Sequence, residues 1–266
     1  MTVAIIGAGV MGETLLAGIL RGGYAVADLA VGEKRAERAE ELRTAYGVQV
    51  VGNLEAAAAD TVLLVVKPQD MVGVLTEVAP VLRPGQVLVS LAAGITTRLI
   101  EKHVPDGVVV VRVMPNTPAL VAEGMAAISG GTHCRDEHLA LTERLLASTG
   151  RVLRVPEDQQ DAVTAASGSG PAYFFLVVEA MVDAAVGLGL SRETATELVV
   201  QTAYGAAALL RGTGEDAAAL RTKVTSPNGT TAAAVAELEA HDLRGAFGTA
   251  MTAARDRSLA LAAGLD

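Results

Sequence analysis

The sequence predicts an α/β domain with a doubly wound, mostly parallel sheet, followed by an all-α C-terminal domain. Three observations carry that prediction. A short apolar strand near residue 1 runs into a glycine turn and then a helix. Strand and helix patterns then alternate to about residue 155. Beyond Pro156 the alternation stops, and long apolar helical stretches take over.

Val3 to Ile6 is apolar and mostly β-branched, as a strand buried on both faces must be. Gly7, Ala8, Gly9, Val10, Met11 and Gly12 follow with the spacing G-x-G-x-x-G, and Glu13 to Leu20 reads as a helix. The first glycine permits a tight turn, and the second lets a pyrophosphate approach the backbone. The third lets helix and strand pack closely. These are the mechanics of a Rossmann dinucleotide site; a glycine-rich first turn with no nucleotide is the alternative. Leu29 to Val31 is the second strand, and Gly32-Glu33-Lys34-Arg35 follows where such a unit touches the adenosine ribose. An acid there favours NAD, and a base accommodates the 2′-phosphate of NADP. Glu33 stands beside Lys34 and Arg35, so the pattern leaves both cofactors open. A plain charge cluster opening the helix Arg35 to Tyr46 fits equally well.

Val48 to Val51 is the third strand, with Asn53 placed to cap the next helix. Thr61 to Val66 is the fourth, ending in Lys67-Pro68, where Lys67 can meet a ligand at a strand's carboxyl end. Gln69 to Leu82 reads as a helix and Gln86 to Leu91 as a strand. Ala92-Ala93-Gly94 makes a small-residue turn after it. A helix over Thr97 to His103 and a strand over Val108 to Val113 come next. Met114-Pro115-Asn116-Thr117-Pro118 then forms a stiff loop at a strand end. An edge strand over Met125 to Ser129, a helix over Asp136 to Ser148 and a last strand over Arg151 to Val155 complete a first domain, 1–155.

Residues 156–266 are expected to form the helical domain. Asp158 to Ala166 reads as a helix that Ser167-Gly168-Ser169-Gly170-Pro171 breaks. A long apolar helix runs from Pro171 to about Gly187, and Ser191 caps the next, to about Arg211. Glu179 and Asp183 share a face and read as solvated or interface charges. These helices are apolar nearly all round, which requires burial, so an intertwined dimer through this domain is expected. Val224-Thr225-Ser226-Pro227-Asn228-Gly229-Thr230-Thr231-Ala232 then crowds four hydroxyls at a helix start. That density favours a carboxylate site over an ordinary N-cap.

Composition narrows the function. A net charge of −9 argues against nucleic acid as the main partner. Cys134 is the single cysteine, which excludes an intrachain disulfide and fits a reducing compartment. His103, His133, His138 and His241 lack metal-ligand spacing, so no metal is expected. The uncharged run Ala162 to Val178 reads as too short and too interrupted for a membrane span. With the chain entering a strand at once, a cytoplasmic enzyme is expected.

At these motifs the chain resembles the pyrroline-5-carboxylate reductase family. The resemblance runs through Ile6 to Gly12, Val66-Lys67-Pro68, Ser90 to Gly94, Asn116-Thr117-Pro118, Ser167 to Tyr173 and Val224 to Thr231. It implies a Rossmann domain joined to a C-terminal helical dimerisation domain, often assembled as a decamer of five dimers. It implies NADPH-dependent reduction of 1-pyrroline-5-carboxylate to L-proline, with NADH as an alternative donor. The cofactor would lie on Gly7 to Gly12, with its 2′-phosphate region at Lys34 and Arg35. Asn53, Val66, Lys67, Pro68, Ala92, Ala93 and Asn116 would line it. Ser226, Gly229, Thr230 and Thr231 would hold the substrate carboxylate, with the Thr231 hydroxyl facing the ring nitrogen. Two positions depart from the family pattern: Asn228 replaces a glycine, and Ala217 replaces a proline. A β-hydroxyacid dehydrogenase and a dinucleotide sensor remain the alternatives. The first needs a lysine on a helix of the second domain, and Lys223 is the only lysine after residue 102.

Overall fold

A computed structural model describes residues 1–263, so the last three residues of the expected helical domain lie outside the described residues. The chain divides into two compact units. One comprises residues 1–169 with the C-terminal segment from Ala253, and the other spans Gly170–Thr252.

The first unit holds an eight-stranded sheet. Its strands are β1 Val3–Ile6, β2 Leu29–Gly32, β3 Gln49–Val51, β4 Thr61–Leu64, β5 Val87–Ser90, β6 Val109–Met114, β7 Gly124–Gly130 and β8 Gly150–Arg154. Their order is β3-β2-β1-β4-β5-β6-β7-β8. The first six strands run parallel; β7 is antiparallel to β6, and β8 is parallel to β7. The expected edge strand over Met125 to Ser129 is therefore an interior strand, because β8 pairs along its outer side. The chain builds outward from β1 through β3, then returns to the other flank of β1 as β4. This reversal is the switch point at which open α/β sheets bind ligands.

Alternation along each strand divides the core between two faces. Val3 and Ile5 pack with Leu15, Leu16, Ile19, Leu42 and Leu145 on one side. Ala4 and Ile6 pack with Met71, Leu75, Val78, Leu99 and Ile100 on the other. The first face carries α1 Val10–Arg21 and α2 Ala36–Tyr46. The second carries α3 Asn53–Ala56, α4 Met71–Val78 and α5 Thr97–Glu101, and α6 Asp136–Leu146 returns to the first. The expected helix over Gln69 to Leu82 keeps α-geometry only in α4. A 3₁₀ turn precedes it at Pro68–Asp70 and another follows at Ala79–Val81.

Among the described residues of this unit, one arginine is buried on the sheet. Arg112 on β6 is 3% exposed and sits 3.5 Å from Glu157 and 3.7 Å from Asp161. Ser258, near the end of the chain, donates to Asp161 at 2.6 Å.

The expected break at Ser167 to Pro171 does not occur. Helical turns run from Glu157 to Gly187. They comprise a 3₁₀ turn, α7 Gln160–Val163, a π-turn Thr164–Gly168 and α8 Gly170–Gly187. The Ser169 amide reaches back five residues to the Thr164 carbonyl at 2.8 Å. One wide turn thus absorbs the glycines, and Pro171 falls in the first turn of α8, where no N–H is needed. The segment is long and apolar enough to cross a membrane by length and composition alone.

The second unit continues with α9 Arg192–Thr213, α10 Ala217–Lys223 and α11 Thr230–Ala240, and the chain ends with α12 Leu243–Ala263. Ser191 caps α9 by accepting from the Thr194 amide at 3.1 Å. Asp183 pairs with Arg192 at 2.9 Å, so this member of the Glu179/Asp183 pair fastens α8 to the start of α9. α10 starts at Ala217 without proline, because Asp216 accepts from the Ala218 and Ala219 amides.

Candidate active site

In the first unit the glycine turn has the geometry that its spacing predicts. Gly7 adopts φ +99°, and a Cβ there would stand 2.5 Å from the Val65 carbonyl oxygen. A Cβ on Gly12 would stand 2.1 Å from the Gly7 oxygen, so α1 lies directly against the turn. A Cβ on Gly9 would meet nothing within 4 Å. The middle glycine therefore leaves room where the other two have none. Gly9 is also the N-cap of α1 and offers no side-chain cap, and Gly9 and Val10 are exposed. The first amides of α1 are left to an external anion. These residues fit a dinucleotide pyrophosphate.

Behind the turn, Arg38 on α2 donates from Nε to the Ala8 carbonyl at 3.2 Å. Its other nitrogens pair with Glu13 and Glu41. The Tyr46 hydroxyl donates to Glu13 at 2.9 Å. Arg38, opposed by burial and aided by Tyr46, holds the Glu13 carboxyl below the usual carboxylate range.

A cleft of about 570 Å³ opens at the switch point. Gly7, Lys34, Asn53 and Val66 line it, so four of the predicted cofactor residues come together there. Glu33, Asp70 and Glu77 line it too. Arg35 does not. Its guanidinium grips both oxygens of Glu33, at 3.1 and 3.0 Å, and draws that carboxyl below its usual range. Asn53 is not the cap of α3, because Gly52 takes that position in extended conformation. The Asn53 side chain instead donates to Glu77 at 3.0 Å. Lys67 is exposed after β4, with Pro68 opening the turn beyond it. Ala92 is buried and Ala93 half-buried after β5.

Asn116 fastens two motifs together. Its Oδ1 accepts from the Met125 amide at 2.8 Å, and its Nδ2 donates to the Ser167 carbonyl and hydroxyl at 3.3 Å. A Cβ on Gly168 would stand 2.3 Å from Met114 Cε. The Met114 to Pro118 loop is thus seated on the π-turn, where the sequence showed only two unrelated irregular stretches.

In the second unit Gly229 caps α11 in extended conformation and supplies no side chain. Asn228 adopts φ +59°, the left-handed geometry that Asn tolerates in place of glycine. Thr222 and Thr225 spend their hydroxyls on the carbonyls four residues back. The hydroxyls of Ser226, Thr230 and Thr231 make no hydrogen bond among the described residues. The first amides of this eleven-residue helix therefore have no side-chain cap, and Ser226, Thr230 and Thr231 flank them in sequence. Lys223, the lysine that a β-hydroxyacid dehydrogenase reading would need, is exposed and pairs with Glu215.

Sequence reasoning missed Glu77, Arg38, Glu13 and Tyr46. Glu13 alone left a trace, as the one acid in the first turn of α1. Among the described residues no cluster of three metal-ligating side chains occurs.

Two known families match parts of the chain. Residues 157–261 match the family described as pyrroline-5-carboxylate reductase dimerisation. Residues 2–94 match that described as NADP oxidoreductase, coenzyme F420-dependent. A pyrroline-5-carboxylate reductase of Corynebacterium melassecola is 45% identical over 262 residues, covering 97% of each chain. The structure of a pyrroline-5-carboxylate reductase from Coxiella burnetii superposes with a TM-score of 0.93 at 37% identity, covering 98% of both chains. That of a Plasmodium falciparum pyrroline carboxylate reductase with NADP bound gives 0.86 at 28% identity, again covering 98% of both.

Proposed function

The chain belongs to the pyrroline-5-carboxylate reductase family, and from that premise we propose that it reduces 1-pyrroline-5-carboxylate to L-proline with a nicotinamide dinucleotide. One observation carries the substrate side of this reading: the uncapped start of α11, with the Ser226, Thr230 and Thr231 hydroxyls unengaged. A carboxylate accepts hydrogen bonds from helix-terminal amides and hydroxyls together, and the helix dipole favours its charge.

The cofactor, when bound, supplies the hydride. Gly7, Ala8, Gly9, Val10, Met11 and Gly12 hold its pyrophosphate. Lys34 would meet its adenosine ribose, while Arg35 stays on Glu33, so NADPH is the preferred donor and NADH the alternative. Asn53, Val66, Lys67, Pro68, Ala92, Ala93 and Asn116 complete its contacts. Ser226, Gly229 and Thr230 hold the substrate carboxylate. The Thr231 hydroxyl hydrogen-bonds the ring nitrogen, orienting the imine and holding its proton. A protonated cyclic imine is already electrophilic, so little acid–base chemistry is asked of the protein. Residues 1–155 serve as the cofactor domain and 156–266 as the dimerisation and substrate domain. The dimers assemble further, as a decamer of five, in the cytoplasm. The apolar Glu157 to Gly187 segment meets a second copy of the chain and not a lipid bilayer.

Loss of nicotinamide absorbance on adding 1-pyrroline-5-carboxylate tests the reaction. Thr231→Ala is expected to lower kcat by about 10- to 100-fold, the range of one lost hydrogen bond to a charged group. Its NADPH affinity should stay within about twofold. Unchanged turnover at saturating substrate removes Thr231 from the mechanism.

A further inference from the structure

We propose that Glu77 sets how strongly the protein prefers NADPH over NADH, by competing with the cofactor's 2′-phosphate for Lys34. The inference rests on the dinucleotide reading above and adds a specificity-determining residue to it. Lys34 is the one cation among the residues described as lining the switch-point cleft, against three acids, Glu33, Asp70 and Glu77. Glu33 is already held on both oxygens by Arg35. Glu77 instead reaches across from α4 and accepts through Oε2 alone. It takes Lys34 Nζ at 2.9 Å and Asn53 Nδ2 at 3.0 Å. These two donors, Lys34 first, hold its carboxyl below the usual range, so it is ionised at neutral pH.

The side chains are 68% and 32% exposed, so the pair is weak and a dianionic phosphate can draw Lys34 off it. Breaking the pair leaves Glu77 without its cation, and that loss is subtracted from the affinity Lys34 gives the phosphate. Lys34 therefore returns less affinity for a 2′-phosphate than a lysine with no acidic partner. NADH, with a neutral 2′-hydroxyl, meets no such opposition.

The purified full-length protein is titrated calorimetrically with adenosine 2′,5′-bisphosphate and with AMP. The ratio of the two affinities isolates the 2′-phosphate. Glu77→Gln keeps an oxygen for Asn53 and is expected to tighten the bisphosphate by about five- to tenfold, with AMP within about twofold. The gain should shrink as salt rises. In a Lys34→Gln background the same substitution is expected to give less than about half the gain. If both nucleotides bind and the ratio does not move, or if the full gain persists without Lys34, the Glu77 inference is overturned and the dinucleotide reading stands. If neither nucleotide binds the unsubstituted protein, both fall together.

Discussion

A methyl group at Gly12 has no space, whereas one at Gly9 has nothing but space. The contrast separates folding from binding at two positions of one motif. Gly12→Ala drives a Cβ to 2.1 Å from a backbone oxygen that cannot retreat without opening the β1–α1 turn. We expect a loss of about 3 kcal/mol in chemical denaturation. Gly9 has an ordinary φ of −69°, so Gly9→Ala should stay within about 1 kcal/mol, mostly the poorer N-cap of alanine. The new methyl stands where the pyrophosphate must approach, so NADPH affinity should fall by about tenfold or more in a fluorescence titration. Equal loss of stability in both variants would mean that the middle glycine serves the fold and not the ligand.

At the scale of elements, the cofactor turn is held from behind by a contact between α1 and α2. Glu13 in the first turn of α1 meets Arg38 and Tyr46 of α2. The Glu13 pKa is lower folded than unfolded, chiefly because of Arg38. Its contribution to stability is therefore complete above the unfolded carboxyl pKa. It disappears as pH falls through the lower folded value. Glu13→Gln should cost about 0.5–1 kcal/mol at neutral pH, a small figure because both side chains are partly exposed. The melting-temperature gap between parent and variant should close on the acid side of the ordinary carboxylate range. A gap that is constant with pH would assign the loss to packing.

The same elements show what the sequence can and cannot convey. Parallel strands covered on both faces read as apolar runs, so β1, β4, β5 and β6 were visible within one or two residues. The glycine turn was legible because its steric demands are local. The Ser167 to Pro171 stretch was misread, since glycine and proline mark a break unless a π-turn absorbs them. The interior place of β7 was hidden because pairing partners are not encoded in the strand itself. Glu77 was invisible for a related reason. Its partners Lys34 and Asn53 lie 43 and 24 residues away, and only the fold brings them to one cleft.

For the whole molecule, the second unit is short of interior. Phe174, Phe175 and Leu176 are 72%, 66% and 66% exposed, and Tyr204 on α9 is 67% exposed. Consecutive residues point about 100° apart around a helix, so these three spread apolar surface over most of the girth of α8. One small cluster, Val182, Ala195 and Val199, is buried between α8 and α9. Such surface is stable in water when another copy covers it, which agrees with the match of residues 157–261 to a dimerisation family. The helices then owe much of their stability to association, so melting temperature should rise with protein concentration. Phe175→Glu places a charge on the covered surface and should weaken the dimer by about 2–4 kcal/mol. At micromolar concentrations light scattering should then report smaller species for the variant than for the parent. The parent should run as a dimer or as a multiple of it. A variant with the parental mass, and a melting temperature indifferent to concentration, would put Phe175 outside the interface and leave its exposure without a purpose.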